Sequence, residues 1–158
     1  MQNKLNGNIE FLRKKIVEIK TALFRSESDA DLKLPDNIIR TLRVEDDGTV
    51  WFFTTCNGNY ARFINKPFYA TLAYYKKDTG CSIQLGGNAT VVENDYKSPF
   101  HNRRNDEDAY KIVLVKMKII QAGVFENKSF GNISWAERMR TVINNLFIAG
   151  PQRVYNFS

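Results

Sequence analysis

The feature that most constrains this chain is a hairpin in its first third. Ile38 to Val44 alternates Ile38, Arg40, Leu42 and Val44 against Ile39, Thr41 and Arg43, the two-residue period of a strand. Asp47-Gly48 follows, a turn pair whose glycine readily takes positive φ, and Val50-Trp51-Phe52-Phe53-Thr54-Thr55 returns as the second arm. β-branched and aromatic residues dominate that arm, as a pleated, half-buried surface favours.

Further strand patterns surround the hairpin. Thr21 to Phe24 reads as a short strand, the polar stretch Arg25 to Asp31 as a loop, and Pro35-Asp36-Asn37 as a turn. Ala61 to Ile64 reads as a short helix closed by Asn65-Lys66-Pro67. Phe68 to Tyr75 is a nearly continuous apolar run, which implies cover on both faces, and Lys76 to Gly80 is a polar turn. Cys81 to Glu93 is a long strand whose Gly86-Gly87 marks a bulge or sharp bend. Ser98 to Asp108 reads as an exposed loop. Tyr110 to Phe125 is the last strand, and its Lys111, Lys116 and Lys118 must reach solvent or bracket an interface.

Helices are expected at both ends. Ile9, Leu12, Ile16 and Ile19 share one face of a helix over about residues 8 to 20, with charges of both signs elsewhere. Ser134 with Glu137 fits a capping box opening a helix over about 134 to 148, whose apolar face carries Trp135, Met139, Val142 and Leu146 before Gly150-Pro151. Six strands in consecutive hairpins with a helix on each flank imply a mainly β fold, a closed antiparallel barrel over about 21 to 126 within a single domain spanning 1 to 158.

Composition narrows the chemistry. One histidine, His101, leaves no His-based metal site and no classical triad, and Cys56 and Cys81 are too few for a disulfide framework. No apolar run reaches the ~18 residues of a membrane helix. The opening Met1-Gln2-Asn3-Lys4-Leu5-Asn6 has no apolar core, so a cytoplasmic protein with reduced thiols is expected. The net charge of +6 is spread over separated pairs (Lys14-Lys15, Lys76-Lys77, Arg103-Arg104) with acids between them. That is a solvated surface with some affinity for anions rather than a basic nucleic-acid arm. Nothing singles out a catalytic side chain, and no Gly-rich phosphate loop precedes a helix.

The order of elements carries a resemblance. Trp51-Phe52-Phe53-Thr54, Asn65-Lys66-Pro67 and Gly87-Asn88-Ala89-Thr90-Val91-Val92 follow one another as in the pyridoxamine 5'-phosphate oxidase-like superfamily, nearest its general stress protein branch, over about residues 9 to 95. The resemblance implies a six-stranded split barrel that forms a homodimer with FMN in clefts at the interface. It implies ring contacts at Arg40, Thr41 and Leu42, ring and phosphate contacts at Phe53, Thr54 and Thr55, and a polar ring contact from Ser82 and Gln84. The family's charged phosphate grip falls on Asn57, Gly58 and Asn59, which carry no charge; Arg62, or Arg40 or Arg43, is the replacement cation the sequence offers. Any redox chemistry would then belong to the flavin. Vitamin-oxidising members use a C-terminal Arg-bearing segment, and the single Arg153 here does not predict that activity. Two other readings stand beside this one: a degenerate split barrel that holds another planar ligand or none, and, ranked last, a nucleic-acid-binding barrel.

Overall fold

The computed structural model describes residues 2–27, 34–56, 64–92, 111–126 and 153–157. Helix α1 spans Gln2–Ile19 and is followed by strands β1 (Thr21–Glu27), β2 (Asn37–Val44), β3 (Thr49–Cys56), β4 (Phe68–Lys76), β5 (Cys81–Val92), β6 (Lys111–Glu126) and β7 (Arg153–Asn156). The expected helix over 134–148 and loop over 98–108 lie outside the described residues, as does His101.

All ladders between the named strands are antiparallel, and the order β3-β2-β1-β4-β5-β6 closes on itself because β3 also pairs β6. The six-stranded barrel is therefore present, but not as a run of consecutive hairpins. Closure depends on two long-range ladders, β1 with β4 and β3 with β6. Local alternation reveals strands and turns; which strand lies beside which is decided by closing the sheet around one core.

That core is built from alternate residues. Phe24, Phe52, Leu72, Ile83, Leu85, Val91 and Met117 are fully buried, with Phe24 and Phe52 at 5.2 Å between ring centroids. Tyr74 is also fully buried and shares a 2.6 Å hydrogen bond with the Thr41 hydroxyl; burial pushes its phenol well above the ordinary range.

α1 crosses one mouth of the barrel. Leu12 and Ile16 sit in the core, and ion pairs tie Arg13 to Asp46, Glu18 to Lys76 and Lys15 to Glu126, one barrel rim residue each. The helix starts at Gln2, earlier than residue 8: Asn6, Gly7 and Asn8 are poor helix formers but do not stop it. It ends where Lys20 takes a left-handed φ of 69°, its N–H donating to Ile16 O at 2.7 Å and its carbonyl accepting from Thr41 N at 2.8 Å. One helix cap thus fixes the position of β2.

Several local expectations are corrected by pairing. Arg25, Ser26 and Glu27 belong to β1, not a loop, because they pair Thr71, Ala70 and Tyr69 of β4. Ile64 is not helical; it forms a parallel bridge with Val91, and Asn65 turns the chain with φ 63° while donating to Val91 O. β7 was not anticipated; it adds to β6 at Gln121 to Val124, beyond the stretch that β3 occupies. Tyr155 and Phe157 of this terminal segment pack against the core.

The hairpin and the double glycine behave as their chemistry requires. Gly48 has φ 82°, its N–H reaches Glu45 O at 3.0 Å, and Asp47 Oδ1 accepts from Thr49 N at 2.9 Å. At Gly86-Gly87 the register of β5 on β6 shifts by one, leaving Ile120 unmatched. Inward positions on β6 accordingly change from Val113, Val115, Met117 and Ile119 to Ala122 and Val124. A Cβ on Gly87 would run into the Lys118 carbonyl, and one on Gly86 into the Tyr69 hydroxyl. Among the described residues no helix is long and apolar enough to cross a membrane.

Candidate functional site

A second register shift shapes the outer surface. Between Thr41 and Arg43, β2 carries one residue more than β3, since Thr41 faces Phe52 and Arg43 faces Trp51. Leu42 is the extra residue of this bulge. Strict alternation would have placed Arg43 opposite in phase to Arg40; the bulge instead turns Arg43 outward and Val44 into the core. Trp51 is likewise on the outer face, half-buried beneath the Arg43 guanidinium, whose carbon lies 4.7 Å from the ring centroid. The Trp51–Arg43 pair is a contact that sequence reasoning missed, because it exists only through the bulge.

The outer face of β2, β3 and β6 is unusually apolar for a solvent-facing sheet. Ile112 is 62% exposed, Leu42 51% and Ile38 48%, and half-buried Phe53 and Leu114 pair directly between them. Single exposed apolar residues are ordinary, but a continuous group is an interaction surface by default. The alternation of Ile112 and Leu114 in phase with Lys116 and Lys118 was the signal in the sequence that this face of β6 is only partly covered.

The site residues named from the sequence divide in three. Arg40, Leu42, Phe53 and Thr55 are all on this face: the β2–β3 ladder runs from Val44–Val50 to Thr41–Phe52, and past it Asn37 Nδ2 donates to Thr55 Oγ1 at 3.4 Å. Arg40 is exposed and has no ion-pair partner among the described residues, whereas Arg43 is held by Glu45 at 3.1 Å. Thr41 and Thr54 lie on the inner face, Thr41 on the Tyr74 hydroxyl and Thr54 buried with no hydrogen-bond partner for its Oγ1 among the described residues. Their side chains are not available to an outer-face ligand. Asn59 and Arg62, with Asn57 and Gly58, lie outside the described residues.

Ser82 and Gln84 form the third group, on the outer side of β5. Both are buried, Gln84 at 5% exposure, and the Gln84 Oε1 has no partner among the described residues. Ser82 faces Phe125 of β6 while Phe53 faces Leu114. Through β4 and β1, however, Gln84 faces Ala73, Ala73 faces Leu23 and Leu23 faces Ile38, so the two groups are three strands apart, about 14 Å at ~4.8 Å per strand, on opposite sides of the six-stranded barrel with their outward side chains diverging. Near them, Tyr69 lies across Gly86, its hydroxyl accepting from Gln121 Nε2 at 2.9 Å, with its ionisation pushed up by burial.

No group of three His, Cys, Asp or Glu able to hold a metal occurs among the described residues. Cys56 and Cys81 are both buried, and burial raises the Cys81 pKa, which favours its protonated thiol.

A closed six-stranded barrel with a helix over one mouth and an open outer sheet face defines a split β-barrel, and solved structures of that fold match it. One described as a general stress protein 26 from a Jannaschia species superposes with a TM-score of 0.51 at 13% identity, covering 99% of each chain. A protein related to general stress protein 26, of the pyridoxinephosphate oxidase family, from Clostridium acetobutylicum gives 0.53 at 8% identity, covering 84% of this chain and 97% of that one. PhzG from Burkholderia lata, solved with tetrahydrophenazine-1-carboxylic acid, gives 0.52 at 14% identity over 77% of this chain and 81% of its own. At these identities the similarity is one of fold. No family model and no curated protein matches the sequence.

Proposed function

We propose that this chain is an FMN-binding split-barrel protein of the pyridoxamine 5'-phosphate oxidase-like superfamily, a cytoplasmic homodimer whose flavin lies on the outer face of β2 and β3. The observation that carries the reading is the exposed Arg40 guanidinium, with no ion-pair partner among the described residues, on the same face as Phe53 and Thr55 and close to a bulge in an otherwise apolar surface. The fold and the order of the Trp-Phe-Phe-Thr, Asn-Lys-Pro and Gly-Asn-Ala-Thr-Val-Val segments support it.

The residues present fit such a ligand. Arg40 supplies a cation for the phosphate dianion, and with it the proposal includes Arg62 and Asn59. Phe53 offers an aromatic face to the ring, Leu42 an apolar edge, and Thr55 a hydroxyl; Thr41 and Thr54 contribute backbone groups alone. Ser82 and Gln84 lie on the opposite side of the barrel, so in this reading they reach the ring from the second protomer. The exposed Ile38, Leu42 and Ile112 are then the apolar surface that the dimer covers. Flavin supplies electron and hydride transfer when bound, and the chain's part is to orient the ring and exclude water around it. The proposal extends to oxidoreductase activity on an unidentified substrate.

Titration with FMN, followed by quenching of flavin fluorescence, tests the proposal. Binding weakened tenfold or more in Arg40→Ala, with a dimer mass by light scattering, supports it. Colourless protein that leaves FMN fluorescence unchanged overturns it. A second reading is favoured by one observation, the uncharged Asn57-Gly58-Asn59. It makes the chain a split barrel that has given up FMN for another planar acid, and the fused-ring acid described with PhzG is of that chemical kind. Saturable binding of such an acid with no response to FMN is its signature.

A further inference from the structure

Four residues stand in one cross-strand row on the outer face. Arg43 of β2 faces Trp51 of β3, Trp51 faces Lys116 of β6, and Lys116 faces Thr90 of β5. Directly paired residues project to the same side of a sheet, about 4.8 Å from strand to strand, so the four side chains are neighbours. Their polar atoms are unusual. Trp51 Nε1 and Thr90 Oγ1 are both buried and both lack a hydrogen-bond partner among the described residues. They flank Lys116, which is exposed and has no ion pair there. The neighbouring cations are already engaged: Arg43 with Glu45, and Lys118 with Asp47.

Indole N–H can only donate, a threonine hydroxyl can donate, and an ammonium donates three times without accepting. Two unmet donors on either side of a cation with no ion pair among the described residues make a set that an acceptor bearing negative charge satisfies at once. Water can accept from both donors but leaves the charge unmatched. We infer that Trp51, Lys116 and Thr90 form an oxyanion site, taking a phosphate or carboxylate group of a small molecule, with Arg43 stacked on the indole adding positive potential. The long, exposed Lys116 side chain swings over the bound group. This row is one step along β3 and β6 from the Phe53–Leu114 pair, and its existence does not depend on flavin binding.

The test is a proton–nitrogen NMR titration of the whole protein with inorganic phosphate and, separately, acetate. The chain has two tryptophans, so the Trp51 indole signal is assigned by its loss in Trp51→Phe. A saturable downfield shift of that signal is expected, weakened at least tenfold in Lys116→Met and several-fold in Thr90→Val. Chloride at equal ionic strength should not reproduce it. An indole signal that does not move, or one that moves equally in Lys116→Met, overturns the site. Repeating the titration with FMN and with riboflavin separates the sources of the anion. If FMN displaces phosphate and riboflavin does not, the site takes the flavin's own phosphate; if phosphate still binds beside FMN, it takes a second ligand. Either result supports the site, and failure of FMN to bind leaves the phosphate titration readable.

Discussion

The two faces of β3 were made by the same eight residues under opposite demands. Inward, Val50, Phe52, Thr54 and Cys56 are buried against the barrel core; outward, Trp51, Phe53 and Thr55 are half-covered and sit among Arg40, Arg43 and Lys116. The inner face is filled by volume, and nearly every atom on it has an apolar neighbour. The outer face carries cations, an aromatic edge and polar atoms with no internal partner. Stability resides on the first and ligand chemistry on the second, within one residue of each other along the chain.

Adjacent phenylalanines give the sharpest way to break that comparison. Phe52→Ala should cost about 3–5 kcal/mol of folding stability, because it opens a cavity beside Phe24. Phe53→Ala should cost about 1 kcal/mol or less and instead weaken FMN several-fold. Chemical denaturation of both variants, paired with flavin titration, checks this; equal losses of stability would dissolve the distinction between the faces. Arg40→Ala belongs with Phe53, with stability changed by under about 0.5 kcal/mol and affinity by tenfold.

A smaller effect is expected inside the barrel at its buried hydroxyl pair. Tyr74→Phe should cost about 1 kcal/mol by leaving the Thr41 hydroxyl without its partner. It should also change the alkaline limb of the stability curve. Burial raises the Tyr74 pKa in the folded protein, so the unfolded chain loses that proton first. The Tyr74 contribution is whole below about pH 10 and is lost as pH rises beyond it. Thermal unfolding from pH 8 to 11 should therefore fall less steeply in Tyr74→Phe than in the parent.

The smallest effect is at the hairpin turn. The hydrogen bond from Thr49 lowers the Asp47 pKa below its usual value, with Lys118 adding to the shift. Its contribution is present above about pH 4 and is lost as pH falls through the folded value. Because the Asp47 side chain is 59% exposed, Asp47→Asn should change stability by only a few tenths of a kcal/mol at neutral pH. Its acid limb should be correspondingly shallower. A loss of several kcal/mol would mean that the turn, rather than ladder closure, holds β2 on β3.

Local chemistry made much of the barrel legible. The period of two in Val50 to Thr55, the left-handed glycine at Gly48 and the double glycine before Asn88 each act within a few residues, so each is visible in the linear chain. The same holds for the helical stripe of Ile9, Leu12 and Ile16. Local polarity also cut one strand short: it left Arg25 to Glu27 in a loop, because a strand's limits depend on the partner it pairs with.

What the amino-acid sequence determined by itself was six of the strands, the hairpin turn at Asp47-Gly48 and the apolar stripe of α1. Which residues can share a ligand was decided only by tertiary structure. The bulge at Leu42 turned Arg43 outward onto Trp51, and closure of the barrel put Gln84 three strands from Ile38, on the opposite side. The row from Arg43 to Thr90 joins positions 47 residues apart in the chain. Closing a sheet brings distant residues together through backbone hydrogen bonds that any sequence can make, so the neighbourhoods it creates leave no mark on local periodicity.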